Sequence, residues 1–380
     1  MERLIRFTLS LLVFLISALA VNAQSQEEKW GEVKDQMKFM TSNGVPGMVL
    51  GVRKDGDSNY IAEGYSDLKS KEPMTIHHAQ YLQSISKTFV GVAVLQLVEQ
   101  GRIELDSSID NYLPQRISEW IEGSEKMTVK MMLNHTSGLH EYNYLPEYIT
   151  LLLQAEDYPF EPEDYLELIE GESPDFEPGS RYSYRNSNYV LLALLLDELI
   201  GDHAKYIRDN VFEPLSMFES YYRESQDYLA EANLPRSYWD RYGNGILEDA
   251  TDIQKRNVKR MVGDDGIVLT AEDGLAFIEG LIELKLFSKQ SLEMMCEWAR
   301  YEDGYPAYGL GLDYTEFAGE EAWGHNGGGI GAGATLHYFP EKDAYVFLAM
   351  NLGTVTGGKI HEKLEPELEE LYRLILEAVE

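Results

Sequence analysis

The chain has 380 residues, with 32 Lys and Arg against 65 Asp and Glu, a formal net charge of −33. That balance argues against nucleic acid as a partner, because its phosphates would be repelled. Cys296 is the only cysteine, which excludes an internal disulfide and a thiolate metal cluster.

In chain order, Arg3 and Arg6 precede an apolar run from Phe7 to Ala20, followed by Val21-Asn-Ala23. This reads as a signal peptide cleaved after Ala23, and the run is short for a membrane span. A periplasmic or secreted protein without a stable membrane anchor is therefore expected. Pro46–Arg53 and Asn59–Tyr65, joined by a turn at Lys54-Asp-Gly-Asp57, predict an antiparallel hairpin. A nearly all-apolar helix follows over Ser84–Gln100, stopped by Gly101. From about 106 to 242 the chain reads as helical and loop-rich, with its clearest helix at Val190–Ile200. Strands return at Tyr308–Tyr314, Gly333–Phe339 and Ala344–Met350, with a turn at Pro340–Asp343. Leucines at 368, 371, 374 and 376 among glutamates fit an amphipathic helix over Leu364–Val379. Strands at both ends with helices between imply two lobes, one assembled from both termini.

Ser84 and Lys87 are three residues apart and share one face of the apolar helix. A lysine isolated in such surroundings is costly unless paired or neutral, and a desolvated amine can take the proton of a nearby serine. The plain alternative is a capping serine and a snorkelling lysine. Tyr184 and Asn186 stand two apart before a helix, where a tyrosine can relay a proton if a neighbouring cation depresses its pKa. A buried phenol and a helix cap are the competing reading. Gly324-His-Asn-Gly-Gly-Gly-Ile-Gly331, at the start of a predicted strand, allows close backbone approach and can present amide donors. His325 can equally be a turn histidine packed against glycines. His77-His78 lacks partners at metal-ligand spacing, and Gly327–Gly333 lacks the ending of a phosphate loop, so no metal or cofactor is expected.

In this order and spacing, these stretches resemble the serine β-lactamase and penicillin-binding-protein superfamily, in its class C β-lactamase, DD-peptidase and esterase branch. The S-x-x-K, Y-x-N and K-T-G or H-x-G elements correspond to Ser84/Lys87, Tyr184/Asn186 and His325/Gly327. His135-Thr-Ser-Gly-Leu139, Phe212-Glu-Pro-Leu215, Leu269-Thr-Ala-Glu-Asp273 and Tyr308-Gly-Leu-Gly311 support the match from Gly44 to Asn351. The resemblance implies an α+β, two-lobed fold, an antiparallel sheet flanked by helices plus a mainly helical lobe. It forms one catalytic domain over 24–380, with the α/β lobe at about 24–105 and 245–380 and the helical lobe at about 106–244.

Ser84 would be the nucleophile, Lys87 would accept its proton or orient the base, and Tyr184 would be the proton shuttle to the leaving group. Asn186 would bind the substrate amide, His325 would steady the Tyr184 network, and Asn326, Gly327 and Gly328 would contact substrate. The amides of Ser84 and Gly328 would form the oxyanion hole. The His135 loop would brace the cleft. The implied function is an exported serine hydrolase acting through an acyl-enzyme on a small-molecule or peptide substrate. It would be peptidase-like or esterase-like, with β-lactamase activity weak; the alternative is a penicillin- or peptide-binding protein with little turnover.

The sequence departs from the family pattern in three places. His325 replaces the lysine of the K-T-G box, and a mostly neutral histidine holds a β-lactam carboxylate poorly. Arg185 occupies the middle of the Tyr-x-Asn triplet, adding a cation beside the cleft. Gly263-Asp-Asp-Gly266 stands where relatives often carry Gly-Gly, and carboxylates facing the cleft would disfavour anionic substrates. The aromatic-rich segments 140–176 and Tyr238–Tyr242 would overhang the site or pack the helical lobe.

Overall fold

The computed structural model describes residues 26–154, 161–225 and 227–380. The proposed signal peptide and Tyr158-Pro-Phe160 lie outside the described residues. Among those described, no helix is long and apolar enough to cross a membrane.

A nine-stranded antiparallel sheet organises the molecule. Gly47–Lys54 pairs with Asp57–Asp67 on one side and with Ala344–Met350 on the other. The order then runs outward through Gly333–Phe339, Glu320–Gly328, Asp313–Phe317, Pro306–Tyr308 and Ala299–Arg300. Strands from the two ends of the chain thus meet at the centre, with Leu50 opposite Leu348 and Val52 opposite Val346.

Strand alternation gives this sheet two apolar faces. Met48, Leu50, Val346 and Leu348 point to a layer built from the helix over 26–42 and the helix Lys359–Ala378. Val49, Leu336, Phe347 and Ala349 point to the opposite layer, which includes Ala271–Ile282 and Ser86–Glu99. There Phe89 stacks on Phe277 with ring centroids 3.6 Å apart. Ser86–Glu99 is buried almost all round, because it has the sheet side on one flank and Asn186–Ile200 on the other. It ends as expected: Gly101 adopts φ +68°, with Arg102 N–H reaching Leu97 O and Gly101 N–H reaching Val98 O.

Three elements differ from the sequence reading. The 26–42 helix had no counterpart in it, although Val33, Met37 and Met40 mark its buried face. The strand expected over Tyr308–Tyr314 is split, because Gly309–Leu312 closes a buried turn in which Gly309 N–H bonds Leu312 O. Gly309 is obligatory there, since a Cβ would fall 2.0 Å from Met295 O. The His325 segment ends the strand Glu320–Gly328 rather than starting the next one. That strand packs against the turn Gln83–Ile85, which places the glycine-rich end beside Ser84.

Candidate active site

Ser84 sits on a single tight turn, Gln83–Ile85, immediately before the apolar helix. Gln83 is held at φ +53°, a left-handed conformation that costs a non-glycine residue about 1 kcal/mol. The turn tips Ser84 into a cavity of about 480 Å³ that Tyr184, Asn186 and Gly328 also line. Lys87 lies one turn below, fully buried. Its Nζ donates to Ser84 Oγ at 3.1 Å and to the Asp264 main-chain carbonyl at 2.8 Å. Burial pushes the Lys87 pKa down, and Asp264, Asp265 and Glu141 oppose that without reversing it. An amine so placed can accept the serine proton.

Tyr184 stands across the cavity with Lys87 Nζ 5.1 Å from its ring centroid. The expectation of a depressed phenol is corrected by the structure. Full burial drives the Tyr184 pKa well above its ordinary value, and the opposing influence of the Ser84 hydroxyl is smaller. Its Oη is buried and closes no hydrogen bond with a described residue. Tyr184 can therefore give up a proton only as it receives one, since a stable phenolate is disfavoured there.

Asn186 opens the helix Asn186–Ile200, and its backbone N–H donates to Glu141 Oε2. Ser187 Oγ accepts the Tyr142 N–H at 3.1 Å, tying the same helix start to the loop after His135. Arg185 does not reach the cavity. Its guanidinium pairs with Asp175 at 2.8 Å and donates to the Tyr184 carbonyl at 3.0 Å. His135 takes the Arg185 N–H on Nδ1 at 3.2 Å and packs 4.2 Å from the Tyr184 ring, a bracing position.

His325 is buried behind Tyr184, with ring centroids 6.2 Å apart. It makes no hydrogen bond to Tyr184; the polar contact is with Tyr308 instead. Nδ1 donates to the Asn326 carbonyl at 2.6 Å, so Nε2 accepts from the Tyr308 hydroxyl at 2.7 Å. Burial, helped by the charge of Lys87, pulls its pKa down to about 3. The ring is neutral at physiological pH. Asn326 turns outward to Asp313, with Nδ2 donating at 3.0 Å, and does not line the cavity. Gly327 is also absent from the lining; it packs so tightly on the preceding turn that a Cβ would lie 2.0 Å from Leu82 O. Gly328 does face the cavity. The next residue is clamped by Thr354, whose N–H bonds Gly329 O at 2.8 Å and whose Oγ1 accepts from Gly329 N–H at 3.1 Å.

Asp264 and Asp265 both line the cavity. Burial raises both carboxyls, Asp265 to about 7, and raises Glu141 to about 7. Tyr142 donates to Asp264 Oδ2 at 2.6 Å, and Gly266 N–H bonds Asp265 Oδ1 at 2.6 Å. The other wall is apolar, formed by Ile149, Leu152, Leu153 and Trp239. No lysine, arginine or histidine is among the described residues lining the cavity. The described residues also offer no metal-binding group of His, Cys, Asp or Glu.

Of the residues singled out from sequence, Ser84, Tyr184, Asn186 and Gly328 line one cavity, with Lys87 and His325 directly behind them. The sequence reading missed Tyr308 as the partner of His325, Glu141 as the anchor of Asn186, and Thr354 as the clamp on Gly329. Glu141 carried a weak signal, an acid just past His135-Thr-Ser-Gly-Leu139, in a segment with other acids and tyrosines. Thr354 carried none, since only the fold brings it to Gly329.

Comparison with known proteins bears on the family and the fold. The Beta-lactamase family model matches residues 33–364. Penicillin-binding protein 4 of Amycolatopsis lactamdurans is 25% identical over 356 residues, covering 86% of both chains. A D-aminopeptidase of Brucella anthropi is 28% identical over 293 residues, 74% of this chain but only 51% of that protein. The chain thus spans about half the length of the D-aminopeptidase. The crystal structure of D-amino acid amidase from Ochrobactrum anthropi SV3, complexed with L-phenylalanine amide, superposes with a TM-score of 0.80. It is 20% identical, over 93% of this chain and 100% of that one. The fold is therefore the β-lactamase fold, and the chain belongs to the Beta-lactamase family.

Proposed function

We propose that this protein is a serine hydrolase that forms an acyl-enzyme on Ser84 from an amide or ester. The observation that carries the reading is the buried Lys87 amine, 3.1 Å from Ser84 Oγ at the floor of the cavity. In its neutral form Lys87 takes the Ser84 proton as Oγ attacks the substrate carbonyl carbon. The amides of Ser84 and Gly328 stabilise the oxyanion. Tyr184 passes its proton to the leaving group and is reprotonated by the Lys87 ammonium, which avoids a lasting phenolate. Water then attacks the acyl carbon, the same groups act in reverse, and the acid and free Ser84 are released.

The neutral His325 sets the substrate range. A β-lactam or peptide carboxylate finds no cation among the described residues of the cavity lining, whereas an amide or ester without a charge beside the scissile bond meets no penalty. The names of the amidase and D-aminopeptidase relatives support D-amino-acid amides and peptides within this range. Under this proposal, residues 24–380 form the catalytic unit and residues 1–23 direct export, which N-terminal sequencing of the mature protein checks.

The test is a panel of D-phenylalanine amide, a D-alanyl dipeptide, p-nitrophenyl acetate and a chromogenic cephalosporin. Turnover of the amide or the ester well above that of the cephalosporin is expected. The cephalosporin as best substrate would refute the assignment of range. A burst of one equivalent followed by silence would favour a penicillin-binding protein with little turnover.

A further inference from the structure

Among the described residues, one main-chain group holds Lys87 Nζ, the Asp264 carbonyl at 2.8 Å. The segment that carries it, Gly263–Gly266, lies between the helix Thr251–Arg260 and the strand Val268–Leu269. Its two end residues are glycines at φ +79° and +118°, so the backbone there has little conformational preference of its own. Contacts from elsewhere in the fold must fix where the Asp264 carbonyl points.

Two buried tyrosines supply them. Tyr228 Oη donates to the Gly266 carbonyl at 2.7 Å. Tyr222 Oη accepts the Gly263 N–H at 3.1 Å, and its ring packs so close to Gly266 that a Cβ there would lie 2.8 Å from Tyr222 Cε2. The Tyr222 hydroxyl is itself oriented. His203 Nδ1 donates to Asp197 Oδ1 at 2.7 Å, so Nε2 of the neutral ring accepts from Tyr222 at 2.8 Å. The same Asp197 oxygen takes the His203 N–H at 2.7 Å. Tyr222 and His203 are only 2% and 3% exposed, so each of these bonds is made away from water. All the donations run one way, from Gly263 through Tyr222 and His203 to the Asp197 carboxylate, and bonds in such a chain strengthen one another. The chain starts at an amide N–H, which has no proton to give up, so its effect on the site is one of position.

We infer that Asp197, His203 and Tyr222 are positioning residues for Lys87, fixing the Gly263–Gly266 segment so that the Asp264 carbonyl holds the amine against Ser84. This rests on the acyl-transfer reading of Ser84. It adds to that reaction three residues that are not among those lining the Ser84 cavity.

Tyr222→Phe and His203→Ala, with folding checked by thermal melting, test this. Each should lower kcat for an activated ester roughly ten- to a hundredfold with little change in KM. The Asp264 carbonyl favours the ammonium form of Lys87, so loosening it should move the rising limb of acylation down by up to about one pH unit. The titratable groups around Lys87 are Asp264, Asp265, Glu141, Tyr184, Tyr189, His135 and His325, and both variants retain all of them. His203→Gln, whose amide oxygen can still accept from Tyr222, should recover most of the rate and of the limb. Tyr372→Phe removes a buried hydroxyl on the far side of the sheet and should leave the limb in place. An unmoved limb in both folded variants, or an equal shift in Tyr372→Phe, overturns the inference. Labelling of Ser84 by a neutral fluorophosphonate, followed against pH, separates it from its parent. Labelling with the same pH profile in wild type and variants overturns the positioning role alone. No labelling of wild-type Ser84 removes the acyl-transfer reading as well.

Discussion

Tyr308 donates its hydroxyl proton to His325 Nε2 at 2.7 Å, while His325 Nδ1 donates to the Asn326 carbonyl at 2.6 Å. Both ring nitrogens are thus committed within the protein, and the imidazole is locked as one neutral tautomer. Family members with lysine at this position place a permanent charge there, whereas this chain has an uncharged, fully satisfied group. Under the proposed reading, this arrangement lets one residue of the box shift the substrate range without dismantling the site.

Removing the Tyr308 hydroxyl should free His325 to titrate. In Tyr308→Phe, Nε2 becomes a buried acceptor without a donor, which costs about 1–3 kcal/mol. The Tyr308 hydroxyl favours the neutral ring by donating to it, so its loss should move the His325 pKa up from about 3. Imidazole NMR titration checks this. An unchanged His325 titration in the variant contradicts the locked-tautomer account.

The lowered Lys87 pKa has a defined sign for activity. The base must be neutral, so the acylation rate should rise with pH through a Lys87 ionisation below the usual lysine range and then level off. Lys87→Met should lower kcat by at least about a thousandfold and abolish that limb of the profile. Stopped-flow acylation with an activated ester measures both. A residual rate in Lys87→Met with the same pH dependence would assign the base elsewhere.

The raised carboxyls predict the opposite trend for stability. A carboxyl whose folded pKa lies above its unfolded value binds more protons when folded, so its contribution is full at low pH and is lost as pH rises. For Asp265 the loss spans the interval from the ordinary aspartate value of 3.8 to about 7. Asp265→Asn removes the buried charge and should stabilise the ligand-free protein by roughly 1–3 kcal/mol at pH 8, with a smaller effect at pH 4. Denaturant melts at the two pH values decide it. Equal effects at both would mean that Asp265 is not raised in the folded state.

Much of this site was legible in the sequence because its chemistry depends on short, local spacings. Ser84 and Lys87 lie one turn apart on a continuous apolar run, and Tyr184 and Asn186 flank the start of another. What stayed hidden depends on pairings distant in sequence. Asp264 offers its backbone to Lys87 across 177 positions, and Tyr142 reaches the Asp264 side chain across 122. The direction of the Tyr184 shift was unreadable for the same reason. A neighbouring cation lowers a phenol, burial raises it, and only the packed structure shows that burial prevails. Asn326 looked like a substrate contact from its place in the box, but its side chain reaches across to Asp313 on the neighbouring strand and does not line the cavity.

Close packing at the end of the box yields a steric prediction. A methyl group on Gly327 would fall 2.0 Å from Leu82 O and 3.1 Å from Gln83 Cβ. Gly327→Ala must push the strand away from the Ser84 turn and widen the gap between the two oxyanion amides. Turnover should fall by at least about a hundredfold, as on loss of an oxyanion donor. Steady-state kinetics on a folded variant checks this, and near-normal turnover would place the oxyanion donors elsewhere.

The most direct measurement of the central claim is intact-protein mass spectrometry after rapid mixing with an activated ester, followed by peptide mapping. The account predicts one added acyl group per chain, located on Ser84, appearing and decaying at rates consistent with turnover, and absent in Ser84→Ala. An acyl group on another residue, or Ser84→Ala turning over at a near wild-type rate, would contradict it.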